Sequence, residues 1–347
     1  MPAPMTSAAA HCLQIGDVTI PGRVLTAPMT GVTDLPARRT ASRCGAPYVA
    51  TEMVACDAFA KGRPDVVRRA AVGNGLPLMV IQLVGRTPEW LAKGARLAEQ
   101  AGADIIDLNM GCPAKEVTGA LSGSALMREP DLAARLIEAA VNATGRPVTL
   151  KMRLGWDDNS RNAPEIAALA ERLGVQAITV HARTRKQFYT GRADWKAVAA
   201  VKAATRLPVI VNGDIVDAAS AKAALSQSGA DAVMIGRGGY GRPWIAAGLD
   251  RALRGEQTSE PAPETRLAIA LEHFTDTLRF YGDALGLRIF RKHLGWYIEQ
   301  AMTPADSCAR RAIRARLCQI DEPRGVEKAL AALWSGSALP IPAGVLI

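Results

Sequence analysis

A repeated alternation constrains this chain more than any other feature. From residue 24 onward, a short apolar run, a polar or Gly-rich loop and an Ala-rich amphipathic stretch recur in that order. Such alternation builds a parallel sheet covered by helices. The expected strands are 24–29, 48–54, 78–83, 105–110, 148–154, 177–181, 209–212 and 232–235, preceded by a hairpin-like lead at 13–21. Eight units predict a closed (β/α)8 barrel, and several strands are apolar on both faces, as a packed interior and a helical coat require. An open doubly wound sheet competes, but no G-x-G-x-x-G follows the first strand, which makes it the weaker reading. Helix ends carry capping residues: Thr87-Pro88-Glu89 opens one helix, while 131–144 and 217–228 close at Gly145 and Gly229.

The pattern changes at 254–264, RGEQTSEPAPE, a polar and Pro-containing linker. Beyond it only helical periodicity remains, with helices expected near 266–281, 287–302, 304–318 and 323–334. The expected organisation is a catalytic barrel over 1–254, a linker at 255–265, a small all-α domain at 266–335 and a tail at 336–347. The first ten residues lack a basic and an apolar signal region, and no apolar run reaches the ~18 residues that span a bilayer. Cysteines 12, 44, 56, 112, 308 and 318 form neither a Cys-x-x-Cys pair nor a Cys/His cluster. A cytoplasmic protein with reduced thiols, no membrane partner and no metal is expected. The formal charge of +9 points to a polyanionic partner. Basic residues concentrate between Arg288 and Arg316, where Arg310, Arg311 and Arg314 share a helical face that meets either phosphates or only solvent.

In a barrel all strand ends reach one rim, where ligands bind. The last two expected strands end in Asn212-Gly213-Asp214 and Gly236-Arg237-Gly238-Gly239. Glycine there lets backbone N–H groups approach a phosphate, and Arg237 adds a charge-assisted hydrogen bond, although tight turns need glycine without any ligand. Lys151 ends an apolar strand and must face a ligand or solvent, because an unpaired buried ammonium is strongly unfavourable. Gln82 both donates and accepts, which suits the imide edge of a planar heterocycle or a plain strand end. Cys112, in Asp107-Leu-Asn-Met-Gly-Cys-Pro-Ala114, lies where strand four breaks into a turn. It is a candidate for chemistry, or a small buried hydrophobe.

Taken together, APMTGVTD, DLNMGCPA, LKMRLGW, VHARTRKQFYTGRADW, VNGDI and MIGRGGYGRPW resemble the tRNA-dihydrouridine synthase family, most closely its bacterial B-type branch. The likeness runs from about residue 13 to 334 and includes RKHLGWY at 291–297. It implies an FMN-bound barrel with a helical RNA-binding domain, reducing the C5–C6 double bond of a tRNA uridine, with NADPH or NADH reloading the flavin. On this chain it implies that Pro28, Met29 and Thr30 line the isoalloxazine, that Gln82 and Lys151 bind its polar edge, and that His181 sits beside it. Asn212, Gly213, Asp214, Gly236 and Arg237 are implied to hold the phosphate, and Cys112 to donate a proton. Asn109, Arg153 and Arg183 are implied at the uracil, and Arg185, Arg291, Arg310, Arg311 and Arg314 toward the RNA. A monomer is expected. Two other readings compete: a flavin barrel reducing a small pyrimidine, as dihydroorotate dehydrogenases do, and a non-catalytic RNA-binding regulator on a degenerate barrel.

Overall fold

The computed structural model describes residues 11–71, 73, 76–119, 121–301 and 307–335. An antiparallel hairpin, β1 (Leu13–Ile15) and β2 (Val18–Ile20), leads the chain. Eight parallel strands follow: β3 (Val24–Thr26), β4 (Val54–Ala55), β5 (Val80–Val84), β6 (Ile105–Met110), β7 (Val148–Arg153), β8 (Ala177–His181), β9 (Val209–Asn212) and β10 (Ala232–Ile235). Their order is β3-β10-β9-β8-β7-β6-β5-β4, so the two ends of the sheet fall on consecutive segments of the chain. Those ends meet where the Thr26 N–H and hydroxyl both donate to the Tyr48 carbonyl, at 3.2 and 2.7 Å. The sheet thereby curls into the expected TIM barrel.

Strand two is shorter than its apolar pattern predicts. Regular pairing covers only Val54–Ala55, with an isolated bridge between Ala50 and Val80. The cause lies at Thr51, whose hydroxyl takes the Gln82 N–H at 3.0 Å where a backbone carbonyl would continue the ladder. A polar side chain has replaced a rung, and apolar periodicity carries no trace of that substitution.

Helices α1 (Leu35–Arg43), α2 (Cys56–Ala60), α3 (Pro64–Arg69), α4 (Pro88–Gln100), α5 (Lys115–Thr118), α6 (Pro130–Val141), α7 (Ala163–Arg172), α8 (Trp195–Ala204), α9 (Ala218–Ser228) and α10 (Ile245–Leu253) accompany the strands. Capping residues fix several ends: Asp217 accepts from Ser220 N–H at the start of α9, and Gly229 closes it at φ +64°. Helix α6 stops at Val141, before the expected Thr144. Inside the barrel, Leu25, Val80, Ile105, Ile210 and Met234 pack with Leu13, Ile15 and Ile20 of the hairpin. Val80 and Ile105 are the first residues of their strands and Ile210 the second of its own, so the hairpin plugs the amino-terminal end and leaves the carboxyl-terminal end open.

After the linker come α11 (Pro263–Tyr281), α12 (Asp283–Ala301), α13 (Ser307–Leu317) and α14 (Pro323–Ser335). They close around their own apolar cluster, which includes Phe274, Phe290, Leu294, Tyr297, Ile298 and Leu330. The expected ends at Met302 and Pro304 lie outside the described residues. Tyr240, on the loop after β10, stacks on Trp296 of α12 with ring centroids 3.8 Å apart. Arg43 of α1 pairs with Glu272 and Asp276 of α11, each at 3.0 Å. The helical unit is thereby held beside the open end of the barrel.

Candidate active site

A cavity of about 760 Å³ opens at that end, within the range of small-molecule sites. Pro28, Met29, Thr30, Gln82, Asn109, Cys112, Lys151, Arg153, His181, Arg183, Asn212, Gly213, Asp214, Gly236 and Arg237 all line it. Strand register explains the convergence. Asn109 lies opposite Lys151, and one step nearer the rim Arg153 lies opposite His181 and His181 opposite Asn212, so neighbouring strands deliver polar groups at two successive heights. Lys151 Nζ donates to Asn212 Oδ1 at 3.2 Å, and Asn212 Nδ2 donates to the Met234 carbonyl at 2.8 Å.

The turn that carries Cys112 is fastened at several atoms. Asn109 Oδ1 accepts from the N–H groups of Gly111 (3.2 Å) and Cys112 (2.9 Å). The Gly111 carbonyl accepts from Arg153 Nε at 2.8 Å, and the Cys112 carbonyl from the N–H and hydroxyl of Ser124 at 3.0 and 2.8 Å. Gly123, at φ +58°, permits this approach, since a Cβ there would come within 2.8 Å of the Cys112 carbonyl. Beneath the turn, Asn109 Nδ2 donates to Gln82 Oε1 (2.8 Å), Gln82 Nε2 to Asp107 Oδ2 (2.7 Å), and the Thr149 hydroxyl to Asp107 Oδ1 (2.7 Å). Sequence reasoning missed Asp107, Thr149 and Ser124. The legible signal for the first was a carboxylate two residues before Asn109, hence on the same face of an otherwise apolar strand.

The cavity is electropositive. Burial is the main cause that lowers Lys151 to about 8, partly countered by Asp107. His181 is pushed well below the usual histidine range by burial and then by Arg153, Lys151, Arg183 and Arg237, so its imidazole is neutral at pH 7. Burial pushes Asp107 up to about 6, opposed by hydrogen bonds from Thr149 and Gln82 and by Lys151. Lys151, Arg153, Arg183 and Arg237 outnumber the two carboxyls that answer them, the buried Asp107 and Asp214, so the site suits an anion.

The glycine-rich loops are tied to the segment after β8. Trp195 Nε1 donates to the Gly213 carbonyl at 2.8 Å, and Asp214 Oδ2 accepts from Ala193 N–H at 2.8 Å and from Arg183 at 2.6 Å. A Cβ on Gly213 would come within 3.1 Å of the His181 ring, so glycine keeps this backbone open to the cavity. Bare backbone at Gly213 and Gly236, the half-buried Lys151 and the exposed Arg237 suit a flat polar ring carrying a phosphate.

The arginines divide into two groups. Arg153 and Arg183 are buried and bonded to loop carbonyls: Arg153 to Gly111, Thr184 and Phe188, Arg183 to Thr190 and Gly191. Outside the cavity lining, Arg185 lies over the Trp156 ring at 4.8 Å and reaches the Pro113 carbonyl at 3.4 Å. Arg291 and Arg311 are exposed, Arg310 is half-buried, and Arg314 pairs with Glu299 across α12 and α13. Phe188 and Tyr189 form an exposed edge-to-face pair at the rim, centroids 4.8 Å apart. Away from the cavity, Asp34, His273 and His293 bring ligand-type atoms within 4.8 Å of one another, but Asp34 caps α1 through Ala37 N–H and Arg38 supplies a neighbouring positive charge.

Compared with known families, residues 25–332 match dihydrouridine synthase (Dus). A probable tRNA-dihydrouridine synthase of Rhodobacter capsulatus is 54% identical over 303 residues, 86% of this chain and 91% of that protein. The tRNA-dihydrouridine synthase B of Pseudomonas aeruginosa is 45% identical over 289 residues, 82% of this chain and 86% of its own. Among solved structures, 2-naphthoyl-CoA reductase in complex with 2-naphthoyl-CoA shares the fold at TM-score 0.56 and 12% identity, covering 72% of this chain and 52% of that one. With a match spanning both the barrel and the helical unit, the chain belongs to the dihydrouridine synthase family.

Proposed function

We propose that this protein is a tRNA-dihydrouridine synthase, an oxidoreductase acting on a CH–CH bond that reduces the C5–C6 double bond of a D-loop uridine. The observation that carries this reading is the Cys112 turn, fastened at both its N–H and its carbonyl, facing an electropositive cavity lined by Lys151, His181 and two glycine-rich loops. Family membership and the names of the relatives support the substrate class.

FMN, when bound and reloaded by NADPH or NADH, supplies the hydride that reaches C6 of the uracil. Pro28, Met29 and Thr30 would line its ring, Gln82 and Lys151 would meet its polar edge, and neutral His181 would sit beside it. Asn212, Gly213, Asp214, Gly236 and Arg237 would hold its phosphate. Cys112 gives a proton to C5, where enolate-like charge must be quenched as it develops. A thiol suits this task because in its protonated form it can hand its S–H proton to a carbon on which charge is developing. Asn109 orients both the Cys112 turn and the uracil, while Arg153 and Arg183 serve the site through the loop carbonyls they hold.

A uridine stacked in folded RNA must be flipped out to reach this depth, at a cost of a few kcal/mol. Phosphate contacts from Arg185, Arg291, Arg310, Arg311 and Arg314 offset that cost. In this reading residues 1–254 catalyse and 266–335 bind tRNA, and the protein acts as a cytoplasmic monomer. The test is to map dihydrouridine in unmodified tRNA after incubation with the protein, FMN and NADPH. Dihydrouridine should appear in tRNA while free uracil and orotate stay unreduced; unmodified tRNA alongside reduced orotate would overturn the reading.

A further inference from the structure

The Cys112 turn hangs from a line of hydrogen bonds that ends in a buried carboxylate, and we propose that Asp107 is a positioning residue for Cys112, acting through Gln82 and Asn109. The proposal rests on the reading of Cys112 as the proton donor. Its geometry comes from three adjacent strands, on which Gln82, Asp107 and Thr149 lie directly opposite one another, with Asn109 one step nearer the cavity.

The polarity of the line is fixed from both ends. The N–H groups of Gly111 and Cys112 can only donate, so Asn109 must turn its oxygen to them and its amide nitrogen to Gln82 Oε1. Gln82 must then present its own nitrogen below, to a group that only accepts. Asp107 is that group: Oδ2 takes Gln82 Nε2, and Oδ1 is anchored by the Thr149 hydroxyl. An acceptor at 107 thus dictates both amide orientations above it, without touching the cavity. Replace it by an apolar side chain, and the buried Gln82 N–H gains by rotating away to find another partner, which turns its oxygen from Asn109. Asn109 then loses the hold that keeps its own oxygen on the Cys112 turn. The Ser124 bonds to the Cys112 carbonyl remain, so the turn shifts rather than collapses.

The experiment compares Asp107→Leu with Asp107→Asn in the full-length flavin-loaded protein. Asn keeps the line intact, with Oδ1 facing Gln82 and Nδ2 facing the Thr149 hydroxyl; Leu breaks it. Asp107→Leu should lower kcat on tRNA by roughly 100-fold, the scale of an ångström-sized misplacement, with KM little changed. It should also change the rate at which iodoacetamide alkylates Cys112, followed by mass spectrometry of the Cys112 peptide. Asp107→Asn should restore kcat to within roughly tenfold of wild type, the worth of a single net hydrogen bond, and return the alkylation rate. Equal losses in both variants, or an unchanged Leu variant, would overturn the relay. Should Asp107→Leu not fold, Gln82→Met removes the middle link, and its Cys112 alkylation must change likewise. Cys112→Ala separates the two claims: an active Cys112→Ala enzyme removes the acid, whereas an inactive one beside an unaffected Asp107→Leu removes only the relay.

Discussion

Lys151 shows how one side chain couples the site to pH. Burial is the main reason its ammonium falls to about 8, so the protein without cofactor keeps this charge only below that value. A ring edge of hydrogen-bond acceptors favours the charged ammonium, so cofactor affinity should be full below pH 8 and fall as pH rises through it, by at most tenfold per unit, one proton's worth of linkage. Fluorescence titration of FMN across pH 6.5 to 9.5 measures this, and Lys151→Ala should bind roughly 10- to 100-fold more weakly at pH 7 and lose the pH slope. Lys151 and Cys112 were legible in sequence because each interrupts an apolar strand or its end with a reactive group. Asp107 sat in the same motif, but its role depends on Gln82 and Thr149, which come from other strands and meet it only through register.

At the scale of elements, the loops after β9 and β10 must touch. A Cβ on Gly238 would overlap the Ile215 carbonyl and crowd Val216, so Gly238→Ala should force the two loops apart. The overpacking should destabilise the fold by about 1–3 kcal/mol and weaken FMN binding, readable as a lower Tm and a lower flavin content. Most elements were visible beforehand, because strands between two apolar layers and helices with Asp217- or Gly229-type ends announce themselves locally. Strand β4 was legible in place but not in length, since the Thr51 hydroxyl stands in for a backbone acceptor. The bracing of Gly213 and Asp214 by Trp195 and Arg183 was likewise hidden, because those partners lie on the segment after a different strand.

For the whole molecule, the proposed function requires the helical unit to stay docked beside the cavity while its basic face meets RNA. Trp296→Ala removes the stack on Tyr240 and should reduce stability by at least about 1 kcal/mol. It should weaken tRNA binding while leaving FMN binding nearly intact, which parallel titrations would resolve. Binding of tRNA should weaken steeply with salt, and replacing Arg310 and Arg311 by Ala should make the slope of log K against log[salt] shallower by about 1 for each phosphate no longer neutralised. Affinity unaffected by salt would remove the role of this face. The proposed chemistry at Cys112 comes down to a single proton. The decisive measurement is the single-turnover rate of dihydrouridine formation by Cys112→Ala protein reduced beforehand with NADPH and mixed with unmodified tRNA. Normal flavin content and tRNA affinity are expected, with the rate reduced by roughly 100-fold or more, the usual contribution of a positioned acid; a rate equal to wild type would contradict the acid role of Cys112.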